Sequence, residues 1–352
     1  MLTIKQISSF CQLGPRSNQE DCIVPAEPTA ESRVLVLCDG MGGHGCGEVA
    51  SALTAEIVAE CLTPFADGGI TADDIQQACD GAVDALTERF AGYGGDRLPG
   101  TTLVVAALRQ KGLTIGHVGD SRAYVFAADG SLKYRSRDHS QVAEAVEQGI
   151  LTEEEARQSP YRNVITRAVQ AAGGHVQVEV DNVAVDEGDI LLMCSDGVSD
   201  LYLDADLSDL FRLNDFDTAV ARMADRCAES SRDNNTAVIA LLSRSVDERD
   251  ALDEAVKRFG KGVDDPGLPA PGQPPVPPVE AFIPPERRIE RREFSERSEF
   301  SEFSESSEFS ESSESHEPAP KPTLGQRIGS VIDNCTHSIK GLFGFNRHDN
   351  NQ

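Results

Sequence analysis

Three aspartates in this chain close short apolar runs. Asp39 follows Val34–Leu37, Asp120 follows Gly116-His117-Val118-Gly119, and Asp196 follows Ile190–Cys194 and Ser195. Asp200 comes four residues after Asp196, and Asp233 stands just before the run 236–242. A short apolar run reads as a buried strand, so these acids are expected at strand edges. Taken singly, each is a turn former that bonds its own backbone. Gathered together they would repel one another, unless they surround hard divalent cations as a site built only of oxygen ligands. Two such ions can share a water, lower its pKa and hold it in line with a phosphorus or carbonyl centre. The stretch Cys38-Asp39-Gly40-Met41-Gly42-Gly43-His44 is the expected centre. Its glycines allow close backbone approach, and Asp39 is expected on metal.

The elements that must position these acids can be read in order. Residues 3–10 alternate as a strand, Gly14-Pro15 breaks it, and Arg16-Ser17-Asn18-Gln19-Glu20-Asp21 forms a polar turn. Apolar residues at helical spacing predict helices over Glu48–Leu62, Asp73–Phe90, with Thr71 as cap, and around Phe216–Cys227. Strands are expected at 101–108, 113–118, 122–126, 132–134, 176–183, 190–194 and 236–242, with Asp129-Gly130 as a hairpin turn. The span 138–166 reads as a polar excursion with two short helical pieces. Long helices interleaved with short strands imply a mixed α and β domain over residues 1–245.

The composition after Ser245 differs. Residues 246–323 read as a disordered linker, Pro-rich over 266–285 and Ser/Glu-rich over 293–314. Residues 324–345 space their apolar positions as an amphipathic helix. That helix could dock on the catalytic domain, on a partner or at a membrane interface. The Ser/Glu run is either a solvated spacer or a phosphorylated segment that docks or regulates.

Charge and cysteines narrow the class. The 352 residues carry a formal net charge of −27, which argues against nucleic acid or an anionic membrane as main partner. Nine scattered cysteines with no Cys-x-x-Cys pair read as reduced core residues, Cys38 and Cys194 included, in a cytoplasmic protein. No signal-peptide run opens the chain, and no run is long enough for a membrane span.

Several motifs together resemble the metal-dependent type 2C serine/threonine protein phosphatases, in their bacterial form. They are 16–21, Asp39-Gly40-Met41-Gly42-Gly43-His44, Gly100-Thr101-Thr102, Gly116–Arg122, Asp138-His139-Ser140, Ser195-Asp196-Gly197 and Asp233-Asn234-Asn235-Thr236, in family order. The resemblance implies an α+β fold: a four-layer α-β-β-α sandwich of two antiparallel sheets flanked by helices, with a disordered C-terminal extension. It implies two Mn²⁺ or Mg²⁺ ions, with a third, weaker one. Asp39 would bridge the pair, with the Gly40 carbonyl on one ion, and Asp196 and Asp233 would complete a shell. Glu20 and Asp21 would hold metal-bound waters. Asp120 and Asp200, with Asp196, match the third position. Arg16 would grip the substrate phosphate, and a hydroxide between the ions would attack phosphorus. Animal members place a histidine directly after the Asp-Gly pair; here Met41 stands there and His44 comes three residues later. A metal-bound water could then serve as the acid.

The resemblance also matches 138–166 to a flap expected to influence substrate choice. The implied function is dephosphorylation of phosphoserine and phosphothreonine in proteins, opposing a cognate bacterial Ser/Thr kinase. The alternative is a metal-binding pseudophosphatase or adaptor acting through its tail.

Overall fold

The computed structural model describes residues 1–244 except 43–45, 67–68, 95–97 and 173. The expected linker 246–323, the helix 324–345 and His44 lie outside the described residues. In chain order the elements are β1 (Leu2–Gln12), β2 (Asp21–Val24), β3 (Val34–Met41), α1 (Gly47–Leu62), α2 (Ala72–Arg89), β4 (Gly100–Thr101), β5 (Leu103–Leu108), β6 (Gly112–Val118), β7 (Arg122–Phe126) and β8 (Leu132–Arg135). There follow α3 (Gln141–Glu147), α4 (Glu153–Gln158), β9 (Val169–Gln170), β10 (Glu179–Ala184), β11 (Ile190–Cys194), α5 (Asp196–Ser199), α6 (Asp204–Leu213), α7 (Phe216–Ser230) and β12 (Asn235–Arg244).

The strands form two antiparallel sheets. One runs β1-β12-β11-β7-β8; the other runs β10-β6-β5-β3-β4-β9, with β2 also paired to β3. Alternation along the strands decides the layers, because successive side chains face opposite sides. On β3, Leu35 and Leu37 face the other sheet and meet Val125, Leu191, Met193 and Val238. Val34, Val36 and Cys38 face the other way, onto α1 and α2. On β12, Ala237 and Ile239 turn outward to Ala219, Met223 and Cys227 of α7. Three apolar layers therefore separate helices, sheet, sheet and helices, as the resemblance implies.

Local chemistry sets the helix ends. Thr71 and Asp74 form a reciprocal capping box at the start of α2. Asp215 accepts from the Thr218 N–H to start α7.

The structure departs from the expected elements in several places, adding β2, β9 and α5 among others. The strand expected over 101–108 is broken at Thr102, whose N–H and Oγ1 are both spent on the Asp39 backbone. The strand expected from Val176 begins only at Glu179. Before it, the Gln76 side chain of α2 pairs with the Val176 carbonyl at 2.8 Å and the Val178 N–H at 3.0 Å, taking the place of a ladder. Helix α6 is not among the expected elements, although Leu207, Leu210 and Phe211 stand at helical spacing and pack on the core.

Candidate active site

Strand β3 delivers Asp39, and three backbone bonds fix it there. Its N–H donates to Thr102 Oγ1 at 2.9 Å. Its carbonyl accepts from the Thr102 N–H at 2.9 Å and from Thr101 Oγ1 at 2.8 Å. Thr102 Oγ1 also bonds Ser121 Oγ at 2.8 Å, which ties the Asp39 turn to the Asp120 turn. Asp120 follows Gly119, whose φ of +100° suits glycine and whose place a Cβ would fill 2.7 Å from the Thr102 methyl. The glycine after Asp39 has a different reason. A Cβ on Gly40 would land on the Gly47 carbonyl, so what sits against this turn is the start of α1.

Asp21 opens β2 directly across from Asp39. Ser195 Oγ donates to Asp21 Oδ2 at 2.8 Å and accepts from the Thr236 N–H at 3.1 Å. Asp21 Oδ1 is buried with no hydrogen-bond partner among the described residues. Asp196 begins α5 and Asp200 ends it. Asp233 precedes β12 and pairs with Arg16. Asn234 holds the 13–20 segment in place: its Nδ2 donates to the Leu13 and Asn18 carbonyls at 2.9 and 3.0 Å, and its Oδ1 accepts from the Glu20 N–H at 2.9 Å.

These acids act on one another. Burial pushes the Asp39 carboxyl well above its ordinary value, and the next causes are Asp196, Asp21, Asp120 and Asp233. Burial does the same to Asp196, followed by Asp120, Asp233, Asp200 and Asp21. Asp21 is pushed up to about 6 and Asp120 to about 7, burial leading in both. Every side chain named in the Asp39 and Asp196 shifts is another acid. Such a cluster is stable only with protons or cations in it. Glu20 sits slightly apart, its carboxylate against Gly47 at the start of α1, with Glu48 and Asp233 as its acidic neighbours. A cleft of about 750 Å³ opens over the site, lined by Arg16, Asp120, Asp196, Asp200 and Asp233 among others, whereas Asp21 and Asp39 do not line it.

Residues 17–243 match the family described as Protein phosphatase 2C. The chain belongs to the protein phosphatase 2C family. Membership makes it a protein serine/threonine phosphatase. It is 29% identical over 203 residues to the serine/threonine phosphatase stp of Listeria innocua, covering 56% of this chain and 79% of that one. It is 31% identical over 226 residues to the serine/threonine protein phosphatase PstP of Mycobacterium tuberculosis, covering 64% of this chain and 42% of PstP. Among solved structures, the catalytic domain of PstP in complex with two manganese ions superposes with a TM-score of 0.60 at 29% identity, covering 69% of this chain and 100% of that one.

Of the phosphatase's expected residues, Asp21, Asp39, Asp120, Asp196, Asp200 and Asp233 act on one another in one cluster, with Arg16 paired to Asp233, although among the described residues the group of three whose ligand atoms lie within 4.8 Å of one another is His117, His139 and Glu179. Glu20 and Gly40 adjoin the aspartates through the Gly40 N–H to Glu20 carbonyl bond of 3.0 Å. Sequence reasoning missed the positioning roles of Thr102, Ser195 and Asn234. All three stand inside the quoted motifs, but their bonds reach across the fold and leave no local signal. The histidines read as supports. His117 and His139 stack at 4.8 Å with planes 10° apart, the former bonding the Arg137 carbonyl and the latter Gly119 N–H and Glu179. With Glu179 they form a group that could hold an ion. Both His139 ring nitrogens are engaged by Gly119 and Glu179, while His117 Nδ1 is buried with no partner among the described residues. Among the described residues, no helix is long and apolar enough to cross a membrane.

Proposed function

We propose that this phosphatase hydrolyses phosphoserine and phosphothreonine in cytoplasmic bacterial proteins, opposing a Ser/Thr kinase, with two Mn²⁺ or Mg²⁺ ions and a weaker third. The observation that carries it is a cluster of aspartates that act on one another, Asp39 and Asp21 beneath a cleft that Asp120, Asp196, Asp200 and Asp233 line beside Arg16. The donor set fits such ions: it is all oxygen, its members raise one another's pKa, and Asp21 Oδ1 is buried and unpartnered. Asp39, the Gly40 carbonyl, Asp196 and Asp233 would hold the pair, Glu20 and Asp21 would orient bound waters, and Asp120, Asp196 and Asp200 would hold the third. When bound, the ions supply an activated water and neutralise the charge of the phosphate.

The chain's own side chains do the rest. Arg16 is half-exposed, lines the cleft and pairs with Asp233; its remaining forked donors would match phosphate oxygens. Ser195 occupies Asp21 Oδ2 and so leaves Oδ1 to accept from water. Thr101 and Thr102 hold the Asp39 backbone, so the carboxylate does not need to reorganise. Met41 carries no acidic proton, so the leaving seryl oxygen takes its proton from another source. The complete acid set counts against a pseudophosphatase. The test is manganese-dependent hydrolysis of p-nitrophenyl phosphate; activity that survives in Asp39→Asn would defeat the reading.

A further inference from the structure

The cleft has a second chemical character. Its wall along residues 135–163 carries Arg135, Arg137, Arg157 and Arg162, with Asp138, Glu147 and Glu153 among them, and the segment before Asp233 adds Arg232. Arg135 pairs with Asp204 at 2.6 Å, Arg137 with Glu147 at 2.6 Å, and Arg162 lies 3.8 Å from Asp200. Arg157 bonds only the Tyr202 carbonyl, at 3.5 Å, and neither Arg157 nor Arg232 forms an ion pair among the described residues. The floor acids suit cations. Arg157 and Arg232, which have no ion pair among the described residues, are then left to read anions, and guanidinium groups bind carboxylate and phosphate oxygens alike. A segment that puts carboxylates on both sides of a phosphoserine would use both parts of the cleft.

The chain itself carries such a segment. From Phe294 to Glu317 the sequence runs in triplets: Phe-Ser-Glu, Arg-Ser-Glu, Phe-Ser-Glu, Phe-Ser-Glu, Ser-Ser-Glu, Phe-Ser-Glu, Ser-Ser-Glu and Ser-His-Glu. Serine holds the second place of seven consecutive triplets, Ser295 to Ser313, and glutamate the third place of all eight. Arg297 is the one Lys or Arg in it. Each of these serines from Ser298 to Ser313 therefore has a glutamate one residue after it and another two residues before it. A phosphate would add about −1.5 to −2 charge at each serine.

We propose that this Ser-Glu repeat, once phosphorylated, is taken by the arginine-walled cleft of its own chain as an intramolecular substrate. The inference rests on the phosphatase reading above. An ATP-dependent protein kinase transfers a phosphoryl group to a seryl Oγ. In the cleft, water adds to phosphorus, the phosphorus–Oγ bond breaks, the seryl oxygen regains a proton, and inorganic phosphate leaves.

The length of chain permits it. Strand β12 carries the chain from the Asp233 end of the cleft to Arg244, ~33 Å for its ten residues. About fifty residues then separate Arg244 from Phe294, and they can span up to ~165 Å. The return distance is a small part of that reach. A tethered substrate is presented at up to about millimolar effective concentration. The phosphorylated repeat would therefore compete with free phosphoproteins for the same cleft.

The test uses the full chain, made by ligating a synthetic segment with phosphoserine at position 304 to the metal-free remainder. Manganese starts the reaction, and intact mass follows the phosphate over about a hundredfold dilution. The expected result is a first-order rate constant that dilution does not change. A rate constant that falls with dilution means cleavage between copies and overturns the proposal. So does a phosphate retained while the same sample hydrolyses p-nitrophenyl phosphate, an outcome that leaves the phosphatase reading standing. Loss of both activities overturns both. A second chain carries Glu302→Lys and Glu305→Lys around the same phosphoserine. Its release should slow by about fivefold, the scale of one or two lost surface ion pairs. Equal rates would show that the arginine wall does not read the repeat, and would overturn the proposal.

Discussion

Asp21 and Asp39 lie directly opposite one another on β2 and β3, two acids facing across one antiparallel pair. Like charges in that relation are destabilising. The fold nevertheless fixes both, Asp39 through Thr102 and Asp21 through Ser195. On the function proposed above, the fold gives up stability here in exchange for a cation site.

Replacing Asp39 by asparagine should move activity and stability in opposite directions. Manganese-dependent turnover should fall by at least ~100-fold, since loss of a mere supporting partner in a metal site already costs about 10–100-fold. Without metal, relief of repulsion worth ~1 kcal/mol should raise Tm by about 2–4 °C in a domain of this size. Calorimetry in EDTA reads the second effect. An unchanged or lower Tm would mean that the acids do not strain the metal-free fold.

Burial and this repulsion together set a pH dependence. In the folded metal-free protein Asp21 and Asp120 are raised from 3.8 to about 6 and about 7, burial first and neighbouring acids after it. The folded state thus binds more protons than the unfolded state between those values. Stability must then fall as pH rises through that window. The metal-free Tm is expected to drop between pH 5 and 7.5, and the Tm gain on adding Mn²⁺ to grow over the same range, because binding needs the ionised acids. Thermal melts with and without Mn²⁺ at four pH values would show it; a flat metal-free profile would contradict it.

Thr102→Val keeps the shape at this position and removes the hydroxyl that joins Asp39 N–H to Ser121 Oγ. An unsatisfied buried donor costs ~1–3 kcal/mol. Because Asp39 then loses one of its three backbone anchors, manganese affinity should weaken by about 10–100-fold. Isothermal titration with Mn²⁺ separates this from a purely structural loss, which would lower Tm and leave the affinity alone.

Asn234→Ala should mainly cost stability. It strips partners from the Leu13 and Asn18 carbonyls and the Glu20 N–H. A loss of about 2–4 kcal/mol is expected, or roughly 5–10 °C in Tm. The freed 13–20 segment carries Arg16, so KM for a phosphopeptide should rise as well. A KM that stays constant would place Arg16 outside substrate binding.

What the sequence determined by itself is the list of parts. Unbroken apolar runs in β3 and β12 make both faces of each strand apolar, which requires layers on both sides. Thr71 and Asp215 mark helix starts because capping is a local bond. The acids could be named because Asp39, Asp120 and Asp196 each end a buried run and stand next to a glycine. Tertiary structure alone decided how the parts act together. The facing of Asp21 and Asp39 depends on strand register, which no single strand contains. The break at Thr102 and the late start of β10 arise where side chains from Thr102 and Gln76 take backbone groups that a ladder would otherwise use. Asn234 joins residues more than two hundred positions apart. The raised carboxyls exist only once burial and four neighbouring acids act together, and that is a property of the fold and not of any segment.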